Sequence, residues 1–412
     1  MWKMLKTNAD MRRVFLAQVI SYLGDWFSFV AIIGLIDDLT GSQFLVSLVV
    51  VAFSLPSFLA SPIAGSMADR FDRRRILLFV STMQAVAALG LLLVEKNSIW
   101  IAFVAQSSVS ALAAVVGPAT EAAIPNIARD ENELALANSL LGSTWGVMLA
   151  AGAAIGGVFA SVFGRDAAFI ANAVSFAFSA VLFSRIKTPM QQVRNSTSMR
   201  GRIRPLSDMR EAITHSRQDP VLMALIFSKT TFAIGAGVVS QLAVLASDVF
   251  RGGDTERGLL IGIRGIGVGL GPLIAMRYTR GQLGRVLTIC GYASLAFSGF
   301  YIVGAWMPTL WLTAIFVMLA HLGGGAQWTL SSYGLQLRSP DHIRGRILAG
   351  DFALVTLMLS LTSALAGVVS EYFGVRQAIS GFSCAAAVAS LVYIRATKRL
   401  RTQLLLQLDV AL

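Results

Sequence analysis

Twelve stretches of this chain are each roughly twenty residues long, almost wholly apolar, and separated by short polar segments. They lie at about 14–36, 43–65, 76–94, 99–121, 137–162, 167–186, 221–247, 258–276, 286–306, 309–330, 347–369 and 376–394. A bilayer core ~30 Å thick needs ~20 apolar residues per crossing helix. It holds no water to satisfy an open backbone N–H or C=O, so each run is expected to be a helix. A soluble fold has no place for so much apolar surface: 55% of the residues are hydrophobic and 14% charged, where soluble domains carry about 25% charged residues. The expected fold class is an all-α integral membrane protein with twelve transmembrane helices, called spans one to twelve below.

The charges sit between the runs, and unevenly. If the N-terminus is cytoplasmic, 27 of the 34 Lys and Arg fall in cytoplasmic segments, five in outer loops, and two, Lys229 and Arg264, inside spans. Lys and Arg gather on the cytoplasmic side of membrane proteins, so both termini are expected there. The setting expected is a bacterial cytoplasmic membrane. The net charge of +12 then belongs to loops that meet anionic lipid, and no nucleic-acid partner is expected. Cys290 and Cys384 lie inside apolar runs and form no metal or redox spacing. Neither a Walker loop, a metal-ligand cluster nor a nucleophile–base pair stands out. No metal, cofactor or enzymatic reaction is expected.

The longest polar segment, 187–219, leaves six spans on either side. Such a 6+6 layout suggests two parallel repeats: an N-terminal half 1–186, a cytoplasmic linker 187–219, a C-terminal half 220–395 and a tail 396–412. Within the linker LSDMREAITHSR has helical character, and Asp219-Pro220 is a good helix start for span seven.

Polar residues inside the spans are the candidate functional groups, because an ionisable group there costs ~2.5–3.5 kcal/mol on insertion scales. Asp25, central in span one, shares a helical stripe with Gln18, Ser21 and Ser28. It can carry a proton, or it can serve as a packing hydrogen bond. Lys229 and Arg264 are its candidate counter-charges, although each lies about two turns from a span end and can snorkel outward. Gln106 in span four and His321 in span ten are further cavity candidates, although a lone helical histidine such as His321 is more often a packing residue. Trp145, Trp328, Phe232 and Tyr333 suit either an apolar substrate or the membrane interface. Gly152, Gly156 and Gly157 in span five, and Gly258, Gly262, Gly265 and Gly269 in span eight, have the spacing of close-packing helix faces.

The loop GSMADRFDRRRI after span two resembles the signature loop of the major facilitator superfamily, Gly-x-x-x-Asp-Arg-x-x-Arg-Arg-Arg. GDWFS in span one, PATEAAIPNIARDENELALANSL after span four and RSPDHIRGRILAG before span eleven resemble its efflux branch of enterobactin-exporter-like and macrolide-efflux-like proteins. The resemblance covers essentially the whole chain. It implies two pseudo-symmetric six-helix halves, alternating access and a central cavity faced by spans one and seven. It also implies a cytoplasmic gate in which Gly65, Asp69, Arg70 and Arg73 meet the start of span eleven, with Arg344 and Arg346 adding charge. Asp69 would there face a helix N-terminus, which favours an anion. The same arginines can instead simply anchor the loop to lipid.

Two departures bear on coupling. Span five reads GAAIGG, with Ala153 where many drug antiporters have proline. Span four reads VAQSSVSA, with Gln106 and no relay arginine. The expected function is export of an amphipathic small molecule (a siderophore, drug or similar) by proton-coupled antiport, as a monomer. A gradient-insensitive carrier or lipid flippase is the alternative, and a non-transporting receptor or assembly partner a third. If Lys229 and Arg264 both face the cavity, its net charge with Asp25 is positive and suits an anionic head group.

Overall fold

The computed structural model describes residues 2–190, 205–279 and 282–409, and among these every regular element is helical. Among the described residues, twelve helices are long and apolar enough to cross a membrane. Spans one to six are Ala9–Thr40, Gln43–Arg70, Arg73–Leu89 with a 3-10 turn to Leu93, Trp100–Ile127, Glu131–Phe163 and Arg165–Ser184. Spans seven to twelve begin at Pro220, Asp254, Leu283, Leu310, Asp341 and Val375, the last ending at Ala396. Large apolar side chains such as Phe79, Val104, Val162, Leu273 and Val392 stand exposed on these helices. A water-facing surface would not carry them, whereas lipid accepts them. The protein is a multi-pass membrane protein.

Contacts group the chain into two compact units. One comprises Met1–Gly41, Ala52–Ile203 and Gly253–Gly258, and the other Ser42–Val51, Arg204–Gly252 and Leu259–Leu412. Each unit therefore includes a short span-start from the other half of the sequence. In the first unit Met11, Val14, Leu77, Ala119, Ile124, Phe183 and Ile186 form a buried core. In the second, Leu222, Leu225, Leu287, Cys290, Leu330 and Ile347 do so, with Ala212 of the surface helix Pro205–Gln218 packed against them.

Aspartates and asparagine start the helices that follow basic or polar loops. Asn8 accepts from the Met11 N–H, Asp72 from Arg75, Asp130 from Glu133, and Asp219 from Val221 and Leu222. Each satisfies an N–H that the first helical turn leaves open. Asp72 is thereby explained: it starts span three, ahead of three arginines.

Span seven is not the continuous helix its apolar run suggests. An α-helix Pro220–Gly235 passes into a 3-10 segment Ala236–Ser240, one α turn, and a π turn Leu245–Val249. Gly237 lies so close to span eleven that a Cβ there would stand 2.3 Å from the Thr362 carbonyl oxygen. Irregular backbone at membrane depth is tolerated when protein surrounds it, and Ala236, Gly237, Val238 and Ser240 are buried.

Glycines set the approach of several helices. A Cβ on Gly152 would meet Trp26 at 2.9 Å, and one on Gly156 the Phe27 Cα at 2.8 Å. Gly157 and Gly258 face one another, and a Cβ on Gly157 would stand 2.4 Å from the Asp254 carbonyl oxygen. Gly262 and Gly265 are buried. Gly269 corrects the expected face: nothing lies within 4 Å of its Cβ direction. Span eight packs on span ten through Gly267 and Gly271, whose Cβ positions meet Met318 and Leu322 carbonyl oxygens at 2.4 and 2.1 Å. Two residues along a helix rotate the direction by ~200°, which turns Gly269 away. Gly157→Val is expected to force spans five and eight apart and to destabilise by ~1–3 kcal/mol or more, as overpacking does. Gly269→Val should leave thermal unfolding in detergent near wild type.

Candidate functional site

Among the described residues, three constellations in the span interiors centre on Lys229, Arg264 and Asp25, and a further charged group lies at helix ends. The first centres on Lys229, which is 3% exposed and so does not snorkel. Its ammonium forms a salt bridge with Asp351 of span eleven, donates to Ser332 Oγ at 2.8 Å, and lies 5.0 Å from the Trp328 ring centroid. Asp351 is 3% exposed, and its second oxygen has no partner among the described residues. The carboxylate paired with Lys229 is thus Asp351 rather than Asp25. The family resemblance, which places spans one and seven against one cavity, suggested Asp25, but Asp351 lies on a helix of the same unit as Lys229.

The second constellation surrounds Arg264. It lies ten residues into the helix of span eight, ~15 Å along its axis. Nearby are Tyr301 and His321, whose hydroxyl and Nε2 are 2.8 Å apart. His321 is 3% exposed and meets the Phe297 ring edge-on.

The third lies in the first unit. Asp25 is half-buried beside Asn172 of span six. Gly24, the preceding residue, lets span six come close, since a Cβ there would stand 2.3 Å from Ser175 Oγ. Gln18 donates to the Tyr22 hydroxyl at 3.0 Å, and the buried Gln106 donates to Ser110 Oγ at 3.0 Å. Among the described residues no cation forms an ion pair with Asp25. A carboxylate so placed can take up and release a proton without breaking an ion pair.

The fourth group is one that reading the spans singly did not assemble. Arg257 donates to Asp254 Oδ1 at 2.9 Å and to Asp37 Oδ2 at 2.5 Å. Arg165 grips both oxygens of Asp254, at 2.8 and 3.2 Å, and reaches Asp38 at 2.8 Å. All five residues belong to the first unit, on spans one, six and eight. Each looks in sequence like an ordinary loop charge, because its partners are up to 220 positions away.

The proposed gate is only partly in view. The side chains of Gly65, Asp69 and Arg70 lie outside the described residues. Arg73 donates to the Ala122 and Met190 carbonyl oxygens at 2.6 and 3.0 Å, tying span three to the end of span four and the chain after span six. Arg346 pairs with Glu211 of the surface helix, and Arg344 donates to the Ser339 carbonyl. Both lie within span eleven, which starts at Asp341, and not before it.

Residues 3–404 match the transmembrane secretion effector family. YfiS, an MFS-type transporter of Bacillus subtilis, is 24% identical over 407 residues, covering 94% of this chain and 93% of its own. The staphyloferrin A transporter of Staphylococcus aureus is 22% identical, covering 95% and 97%. The multidrug efflux pump Tap of Mycobacterium tuberculosis is 24% identical, covering 93% and 92%. Among solved structures, an inward-facing bacterial homologue of the human lysosomal transporter Spinster aligns with a TM-score of 0.75. It is 15% identical and the match covers 95% of this chain and 96% of that one, a likeness of fold. With the family spanning nearly every residue, and its named relatives being transporters and not enzymes, the chain belongs to the transmembrane secretion effector family of major facilitator transporters.

Proposed function

We propose that the protein exports an amphipathic small molecule from the cytoplasm across a bacterial cytoplasmic membrane by alternating access, driven by inward proton flow. Export is supported by the family and by the efflux pump among its relatives. The observation that carries proton coupling is Asp25: a partly accessible carboxylate in mid-span with no cation paired to it among the described residues. A proton bound there neutralises a charge that is costly at that depth, and release to the other side regenerates it. Positive loops hold both termini in the cytoplasm.

Inside-out vesicles test this reading. Uptake of a fluorescent amphipathic drug should rise with an imposed pH gradient, and Asp25→Asn should abolish the gradient-driven component while leaving downhill flux. Full gradient-driven uptake in that variant would overturn the coupling. One observation favours a gradient-insensitive carrier instead. Gln106 stands where a relay arginine is expected, and its amide is engaged locally with Ser110. On that reading wild-type uptake ignores the gradient.

A further inference from the structure

Arg264 is a cation for which the described residues supply no compensating charge. Among the described residues no carboxylate pairs with it, while Lys229, a buried cation of the same unit, is neutralised by Asp351. Its position excludes the lipid-facing surface of span eight. Residues 264, 267 and 271 follow one helical stripe, and Gly267 and Gly271 pack against span ten. The exposed apolar residues Ile266, Leu270 and Leu273 lie on other faces, with Leu273 about half a turn round from Arg264. Arg264 thus stands on the face of span eight turned to span ten, partly exposed and in electrostatic reach of Tyr301 and His321. Tyr301 and His321 are both buried. They carry one hydroxyl and one imidazole, which are hydrogen-bonding groups but no fixed negative charge.

A guanidinium offers five donors in a planar fork that matches a carboxylate or phosphate. An uncompensated one at membrane depth is unfavourable until an anion arrives. We infer that Arg264 binds the anionic head group, carboxylate or phosphate, of an amphipathic substrate, with Tyr301 and His321 as its polar neighbours. This deepens the export reading by naming the substrate class, and it rests on that reading.

The test keeps the tail constant and changes the head. Purified protein in a neutral maltoside detergent is titrated with decanoate, decyl phosphate, decanol and decyltrimethylammonium, and binding is followed by tryptophan fluorescence and thermal shift. Decanoate and decyl phosphate should bind at least tenfold more tightly than decanol, with the ammonium no better than decanol. Arg264→Gln should remove that preference, and Arg264→Lys should keep part of it with the fold intact. Equal binding of all four heads, or an unchanged preference in Arg264→Gln, would overturn the assignment. Two further arms fix the source of the anion. Inorganic phosphate alone should not reproduce the shift, and phosphatidylglycerol should not displace decanoate. A full effect from either would overturn the assignment to an amphipathic substrate. Because binding is read without a gradient, loss of the anion preference with vesicle export intact would defeat this inference alone. Anion binding without any export would defeat the export reading alone.

Discussion

Truncating Lys229 to alanine is expected to destabilise the second unit by about 3–5 kcal/mol, the range seen when one partner of a buried ion pair is removed. Three interactions disappear together: the salt bridge to Asp351, the hydrogen bond to Ser332 and the cation–π contact with Trp328. What remains is the larger effect. Asp351, almost fully buried and already short of a partner for its second oxygen, becomes a charge without a counter-charge. Asp351→Asn should fall in the same range, since it strands the ammonium instead. The double variant Lys229→Met, Asp351→Leu separates the burial of charge from the packing of the site. Two apolar side chains of similar volume need no compensation and are expected to restore the unfolding temperature to near wild type. Detergent-solubilised protein followed by intrinsic fluorescence suffices. A double variant as unstable as either single one would show that shape, not charge, holds these helices. If the double variant is stable but exports nothing, the pair has a role in the transport cycle beyond holding the unit together.

Different parts of this structure were legible in the sequence for different physical reasons. The twelve spans follow from an interaction that every residue of a run shares, so the apolar pattern alone reveals them. Asp219-Pro220 was readable as a helix start because a cap acts within two or three residues. Asp351 was not, although it lies inside the apolar run of span eleven, because a carboxylate near a span's start gives no sign of which distant residue it meets. Its partner is 122 positions away. The glycine stripe in span eight was readable as packing but not in direction, because several helical faces carry glycine and only the neighbouring helix selects Gly267 and Gly271. Arg264 was readable as a cation within a span, but its grouping with Tyr301 and His321 was not, because those residues lie on other spans.

That first turn also holds the second large expected effect. Arg257→Ala should lower stability by about 3–5 kcal/mol, again as a broken buried pair, while Asp38→Asn should change it by less than ~1 kcal/mol. The contrast follows from exposure. Arg257 and Asp254 have side chains 4% and 7% exposed, and Asp37 11%, whereas Asp38 is 57% exposed and its charge is well solvated. Arg257 binds two carboxylates with separate nitrogens of one fork. Removing it leaves Asp37 and Asp254 with only Arg165 nearby, and Arg165 already serves Asp254 and Asp38. Arg257→Lys should therefore recover only part of the loss, because a single ammonium cannot reproduce the two-pronged geometry. An unfolding temperature for Arg257→Ala equal to wild type would mean that water replaces these contacts at no cost. The same helix end carries the Gly157–Gly258 approach, one residue beyond Arg257. Charge and backbone contact hold the start of span eight against spans one, five and six together, so their losses should not add. Once Gly157→Val has moved span eight outward, Arg257 has less to lose. The double variant Arg257→Ala, Gly157→Val is expected to be more stable than the sum of its single changes predicts. Strict additivity would show instead that the ion cluster forms whether or not the glycines bring the helices together.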